Sequence, residues 1–182
     1  KGSGLSGLRG IPSVRGHIIR PLSGCPKKTI LQFLSENNIP FSIDKTNYGT
    51  DYLRNRVRNI LIPQIEEIFP SYAKAVTEFG EKVSCADDFI KAAANERVRW
   101  ERTSPDENSF VTSLESFMSA PDALKVQSIY SCYDIFAKGR GGELPYRFVR
   151  TALSGRVPEN NGVLLRGYGF VIKRAGNLLV WK

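Results

Sequence analysis

The residues with the densest chemical potential in this chain lie in one short stretch. Asp44 and Asn47 are followed by Asp51-Tyr52-Leu53-Arg54-Asn55-Arg56-Val57-Arg58. Arg54 and Arg58 are four apart, so on a helix they share a face, one above the other. Leu53, Val57, Ile60 and Leu61 fall on a different face, which can enter a core. Asp44 and Asn47 precede the helix, where their side chains can form a turn that braces it and positions Arg54 and Arg58. Paired guanidinium groups suit phosphate-bearing ligands, because their planar forks grip phosphate oxygens at two points. The bland alternative is a solvated helix face with ordinary surface arginines.

Other residue types narrow the chemistry. Cys25, Cys85 and Cys132 are isolated, no C-x-x-C pair exists, and His17 is the only histidine. A zinc site of the usual Cys/His kind is therefore not expected, and no metal ligands are assigned. Each cysteine reads best as a small buried apolar residue, and His17 reads as structural. Lack of a disulfide framework fits a reducing cytoplasm. No apolar run is long enough to span a membrane.

The net charge is +8, unevenly spread. Residues 1–70 carry ten basic and five acidic side chains, 71–119 six and nine, and 120–182 ten and four. Two basic ends flank an acidic middle. A polyanion that touches both ends fits this pattern, since each cation near a phosphate adds counterion-release affinity. In the distal part Arg140, Arg147, Arg150, Arg156, Arg166, Lys173 and Arg174 are candidate phosphate contacts, and Tyr146 and Tyr168 could stack on bases. Singly, each is better explained as a solvated surface residue, and only the collective charge argues for RNA.

The elements that must position these groups follow from periodicity. Residues 1–16 are rich in Gly, Ser and Arg and read as a loop. His17 to Arg20 is a short extended segment that ends at Pro21, and strand ends in α/β folds face ligand crevices, which makes Arg20 a candidate. Ile30, Leu31 and Leu34 mark an amphipathic helix over 27–37. Thr50 can cap the arginine-bearing helix, and Pro63 should interrupt and bend it. Tyr72, Val76, Phe79, Val83, Ala86, Ile90 and Ala93 predict a helix over 71–102, the longest in the chain and a connector rather than a coiled coil. Residues 103–119 read as a break or hinge. From Pro121, Leu124, Ile129, Tyr133 and Phe136 mark a helix stopped by Gly139-Arg140-Gly141-Gly142. Pro145 opens another, with Phe148, Val149, Ala152 and Leu153 inward. The β-rich runs 163–165, 170–172 and 178–181 predict a three-stranded meander on two helices.

Taken in order, Gly2-Ser3-Gly4-Leu5-Ser6-Gly7-Leu8-Arg9-Gly10-Ile11, Arg20-Pro21-Leu22, Asp44-x-x-Asn47, Arg54-Asn55-x-x-Arg58 and Pro63 resemble the bacterial tRNA(Ile)-lysidine synthetases over residues 2 to about 70. From about 120 onward the chain is similar, more loosely, to the small domain that follows the catalytic domain in that family. The resemblance implies a pyrophosphate-loop ATPase. Such enzymes adenylate the C2 oxygen of the wobble cytidine in tRNA(Ile) with a CAU anticodon. Free L-lysine then displaces AMP. It implies ATP with Mg²⁺ as the nucleotide, a cytoplasmic location and no membrane, and leaves a homodimer open. It places Arg54, Asn55 and Arg58 at the catalytic pocket, with Arg20, Asp44 and Asn47 in support. Arg140, Arg147, Arg150, Arg166, Lys173 and Arg174 would contact tRNA.

The family's Ser-Gly-Gly-x-Asp-Ser nucleotide loop and its acidic His-x-x-Asp-x-x-x-Glu segment do not occur in this sequence. The chain therefore reads as a part of a longer enzyme. By itself it is expected to hold no nucleotide and to be inactive. The expected fold class is α+β and mostly helical, in three parts. Residues 1–70 are the C-terminal remnant of an α/β ATPase domain, 71–119 a long connecting helix and hinge, and 120–182 a small helix-plus-β-meander domain that binds tRNA. Two alternatives remain: a tRNA-thiolating enzyme of the same superfamily, in which catalytic cysteines are expected, and a non-catalytic RNA-binding module.

Overall fold

The computed structural model describes residues 4–42, 49, 51–105, 107–137, 144–154 and 161–182. The chain is α+β and divides into two compact units, Lys1–Ser84 and Cys85–Lys182. The division falls inside a helix.

In the first unit, a short helix α1 (Leu5–Leu8) leads into a two-stranded hairpin, β1 (Val14–Arg15) and β2 (Ile18–Ile19), paired Val14 to Ile19 and Arg15 to Ile18. The stretch read as featureless loop thus contains a strand. Gly16 makes this possible. It is the first of the two turn residues and sits at φ +58, where a side chain would be strained. His17 is the other turn residue and is exposed. Helix α2 (Lys27–Glu36) lies where its apolar spacing put it. It ends at Asn37, whose side-chain amide donates to the Phe33 carbonyl oxygen at 2.8 Å. Asn38 follows at φ +53, a left-handed stop that asparagine tolerates.

The arginine-bearing segment is not one α-helix. It runs as α3 (Leu53–Arg56), a π-helical turn η1 (Val57–Leu61) and α4 (Ile62–Ile68). Pro63 sits in the first turn of α4, where its missing donor costs little, so the change in winding absorbs the expected disruption. Thr50, the expected cap, lies outside the described residues. Leu53, Val57, Ile60 and Leu61 were expected to supply a core face, yet all four are exposed. A helical stripe is buried only when another element packs on it, and among the described residues of this unit only Asn55 and Val83 are buried.

Helix α5 (Tyr72–Arg97) has 26 residues, about 39 Å at 1.5 Å per residue. Its buried positions are Val83, Asp87 and Ala94, continued by Val98 just beyond its end. The spacing of four, seven and four is helical, but the stripe is rotated from the expected one. Of the expected series only Val83 is buried; Val76 and Phe79 are exposed, and Asp87 and Ala94, outside that series, are buried.

The second unit holds the core. The segment 103–119, read as a hinge, forms β4 (Phe110–Ser113) and α6 (Leu114–Ser119), and the last two residues of the expected helix 71–102 form β3 (Glu101–Arg102) instead. The helices α7 (Asp122–Phe136) and α8 (Tyr146–Ser154) and the strands β5 (Val163–Gly167), β6 (Phe170–Ala175) and β7 (Leu178–Trp181) follow the sequence reading. The sheet has five strands, not three, in the order β3-β4-β7-β6-β5, with every pairing antiparallel. β4 finds its partner β7 about seventy residues away, opposing Phe110 to Trp181 and Thr112 to Leu179. Ser113 caps α6 by accepting from the Ser116 backbone N–H at 3.3 Å.

One face of the sheet, with Leu165, Phe170, Ile172, Leu179, Trp181 and Phe110, packs against Ile129, Tyr133 and Phe136 of α7 and Val149 and Ala152 of α8. Aromatic rings knit this layer. Phe170 stacks on Trp181 at 4.1 Å and 17°, and Trp100 meets Trp181 edge-on at 5.7 Å. Gly167 is required by packing, because a Cβ there would stand 2.8 Å from the Phe148 ring.

Candidate functional site

In the first unit, the backbone N–H of Arg20 donates to the Ser13 carbonyl oxygen at 2.7 Å, and its Nη1 donates to the Pro12 carbonyl oxygen at 3.1 Å. Arg20 therefore clasps the hairpin onto the chain that enters it. From sequence Arg20 is a candidate beside a ligand crevice; its observed partners are backbone carbonyls.

Arg54 and Arg58 are both exposed. Arg54 lies on α3 and Arg58 on the π-helical turn. Neither forms an ion pair with a described residue. Both guanidinium groups are thus available to an anion, with the wide turn setting the direction of Arg58. Such single π turns recur at functional sites. Asn55, between them, points the other way and is 8% exposed, with its backbone N–H donating to the Tyr52 carbonyl oxygen at 2.9 Å. The trio is therefore split into two surface cations and one buried amide. Asp44 and Asn47 lie outside the described residues.

In the second unit, Arg147 and Arg150 are exposed on α8, whose Val149 and Ala152 are buried in the core. Arg166 and Lys173 are exposed on β5 and β6. Arg174 does not join them. It opposes Leu179 across the ladder, on the other side of the pleat from Lys173, and its Nε donates to the Gly176 carbonyl oxygen at 2.9 Å. Arg140 and Arg156 lie outside the described residues. Of the two tyrosines, Tyr168 holds the β5–β6 turn at φ +51, its ring 4.7 Å from Phe148, and Tyr146 is exposed at the start of α8.

Two features escaped the sequence reading. Lys182 exchanges both backbone hydrogen bonds with Val171, at 2.8 and 3.0 Å, and so extends the sheet beyond β7. Asp87 is 2% exposed, and Lys91 reaches it at 2.7 Å. The i,i+4 spacing of this pair was visible, but its burial was not. Asp134 stands near the same ammonium. Partial burial raises its carboxyl above the ordinary range, and the attraction of Lys91 opposes that rise. Burial also pushes up the Cys132 thiol, which makes it an inert packing residue rather than a nucleophile. Cys25 and Cys85 are exposed, contrary to the buried role expected for them. Among the described residues no cluster of three His, Cys, Asp or Glu could hold a metal ion. No helix among them is long and apolar enough to cross a membrane.

Comparison with known proteins gives these geometries a context. Residues 1–65 match the PP-loop domain family. The tRNA(Ile)-lysidine synthase of Borreliella burgdorferi strain ZS7 is 33% identical over 180 residues, covering 97% of this chain and 39% of that protein. That of Thermosipho africanus is 38% identical over 140 residues, 71% of this chain and 33% of that protein. That of Treponema denticola is 28% identical over 177 residues, 97% of this chain and 37% of that protein. The chain thus spans roughly two fifths or less of the length of these curated relatives. Along nearly all of its own length, and through both of its units, this chain is homologous to the tRNA(Ile)-lysidine synthases, with the PP-loop domain match at its first 65 residues.

Proposed function

We propose that this chain serves an ATP-dependent ligase that converts the wobble cytidine of tRNA(Ile) with a CAU anticodon into lysidine. The observation that carries this reading is the 33% identity extending over 97% of the chain, because it embraces the second unit as well as the PP-loop match. The names of the relatives favour a lysidine synthase over a tRNA-thiolating enzyme.

In the reaction, the cytidine C2 oxygen attacks the α-phosphorus of ATP and releases pyrophosphate. The ε-amine of free L-lysine then bonds to C2. The C2–O bond breaks, AMP leaves with that oxygen, and the amine loses its proton to solvent. Both steps gather negative charge at phosphate. Arg54 and Arg58, exposed on neighbouring turns, are suited to offset that charge or to hold the anticodon-loop backbone. Asn55, buried beneath them, positions their turn, and Arg20, Asp44 and Asn47 support the pocket. Residues 1–70 carry this catalytic part, and 120–182 contribute tRNA affinity through Arg140, Arg147, Arg150, Arg166 and Lys173. Mg²⁺ would arrive with the nucleotide phosphates, as is usual for this hard cation. The setting is cytoplasmic, and a homodimer is the assembly to test.

The test is a chimera in which this chain replaces the matching segment of the Borreliella burgdorferi relative. Lysidine formation is expected from the chimera. It should fall at least tenfold with Arg54→Ala or Arg58→Ala, since a charged hydrogen bond is worth roughly 1.5–3 kcal/mol and about 1.4 kcal/mol is tenfold. Wild-type turnover in both variants would return these arginines to surface decoration.

A further inference from the structure

The register of the sheet sorts the basic residues of the second unit onto two sides. Residues opposite one another across a ladder share a face, and successive residues alternate. Arg166 pairs with Val171, and Val171 pairs with Lys182. These three form a row across β5, β6 and the end of β7. Lys173 pairs with Val163 on one side and Val180 on the other, and Val180 pairs with Val111. This second row lies on the same side as the first, opposite the core side that carries Leu165, Ile172 and Trp181. Arg166, Lys173 and Lys182 are exposed, while Val171, Val180 and Val111 between them are half-buried. Strands lie about 4.8 Å apart, so the backbones bearing Arg166 and Lys182 are about 10 Å apart with Val171 between them. Arg166, Val171 and Lys182 also line one shallow depression of about 280 Å³ beside the β5–β6 turn.

The charge on this face has a direction. Its carboxylate, Glu101, stands on β3 at the far edge of the sheet and is engaged by Arg99 at 3.5 Å. The three cations cluster at the β5–β7 end. A polyanion would therefore cross that end and avoid β3. Arg147 and Arg150 belong to α8, whose buried face packs into the core on the other side of the sheet.

We propose that this open sheet face is the RNA-contacting surface of the second unit, with Arg166, Lys173 and Lys182 holding neighbouring phosphates of one strand. The half-buried valines form a floor for ribose, and Tyr168 stands at the rim. The proposal rests on the reading of RNA as the partner, and it assigns to that partner a definite face and adds Lys182.

The experiment uses the full chain with two labelled probes, a tRNA(Ile) transcript with a CAU anticodon and an unrelated RNA stem-loop, titrated from 50 to 200 mM salt. Replacing Arg166, Lys173 and Lys182 together by Ala should weaken binding of both probes at least about tenfold and flatten the salt slope by about 2, since each phosphate contact contributes roughly 0.7 to 0.9. Replacing Lys27, Lys74 and Lys82 together removes the same charge elsewhere and should change the slope far less. If the wild-type chain binds neither probe at 50 mM salt, the RNA reading itself fails. If the wild type binds but the sheet variant keeps its affinity and slope, the sheet face is wrong while the RNA reading stands. If poly-L-glutamate displaces both probes as well as RNA does at equal charge, the face is a general anion surface and the proposal is overturned.

Discussion

The two units of this molecule differ in where they keep their apolar side chains. The second buries Phe117, Ile129, Val149, Ile172, Leu179 and Trp181 almost completely. The first leaves Leu8, Ile19, Phe33, Leu53, Leu61, Ile68 and Phe69 exposed, and its buried described residues are Asn55 and Val83 alone. Both units contain helices with good apolar spacing, so spacing does not account for the difference. What differs is closure. The second unit has a sheet that brings chain ends seventy residues apart into register and gives two helices a floor. The first has a hairpin of four paired residues and helices that cover little of one another. A secondary-structure element can be well formed and still contribute little burial, and the hydrophobic term follows area removed from water.

The comparison can be broken most severely at Trp181, which is fully buried and packed against Phe170, Trp100 and Phe136. Trp181→Ala should destabilise the second unit by about 3–5 kcal/mol, measured by denaturant unfolding with circular dichroism. A loss under 1 kcal/mol would mean that this core is not what holds the unit. Next in size is Lys91→Ala, which takes the 2.7 Å ammonium from the buried Asp87 carboxylate. Removing one partner of a buried pair costs about 3–5 kcal/mol. Lys91 is about a third exposed, which lowers the expected loss to about 2 kcal/mol. Replacing Asp87 and Lys91 together by Asn and Met should recover part of it.

Asp134→Asn is a smaller probe with a defined sign. The raised folded-state pKa means that the folded form binds more protons than the unfolded one as pH climbs from the ordinary value of 3.8. Wild-type stability should therefore fall across that window, and the Asn variant should lose that component and gain stability at neutral pH. An identical pH profile for the two proteins would contradict this. The smallest effect is expected from Leu53→Ala in the first unit. Leu53 is 75% exposed, and the change should stay within about 0.5 kcal/mol. A loss comparable to that at Trp181 would erase the distinction between the units.

Much of this architecture was legible as local pattern. α2, α7, α8 and the meander each carry their own periodicity, with turn residues at their ends. What was not legible was non-local. Phe110–Ser113 is a run of four behind a polar stretch, and only its pairing with β7 makes it a strand. The buried stripe of α5 was misplaced because the apolar Val76 and Phe79 of the expected series are exposed, while a charged residue, Asp87, holds a buried position. The π turn at Val57–Leu61 has no sequence pattern of its own beyond the proline that follows it. At the site, residue types marked Arg54 and Arg58 as exposed cations and missed that Asn55 turns inward. Only the strand register could reveal Lys182 as a neighbour of Arg166 or separate Arg174 from Lys173.

The bulge in β5, where the ladder slips between Val163 and Leu165, has a further consequence. β5 is one outer strand of the sheet, and an outer strand presents backbone groups that invite another chain to add on. A slipped ladder twists such a border, and the neighbouring Arg166 places a charge beside it, so an incoming strand meets neither a flat template nor a neutral one. At the opposite border, β3 is only two residues long and both are charged, Glu101 and Arg102. The sheet is thereby guarded at both borders against growing into an aggregate.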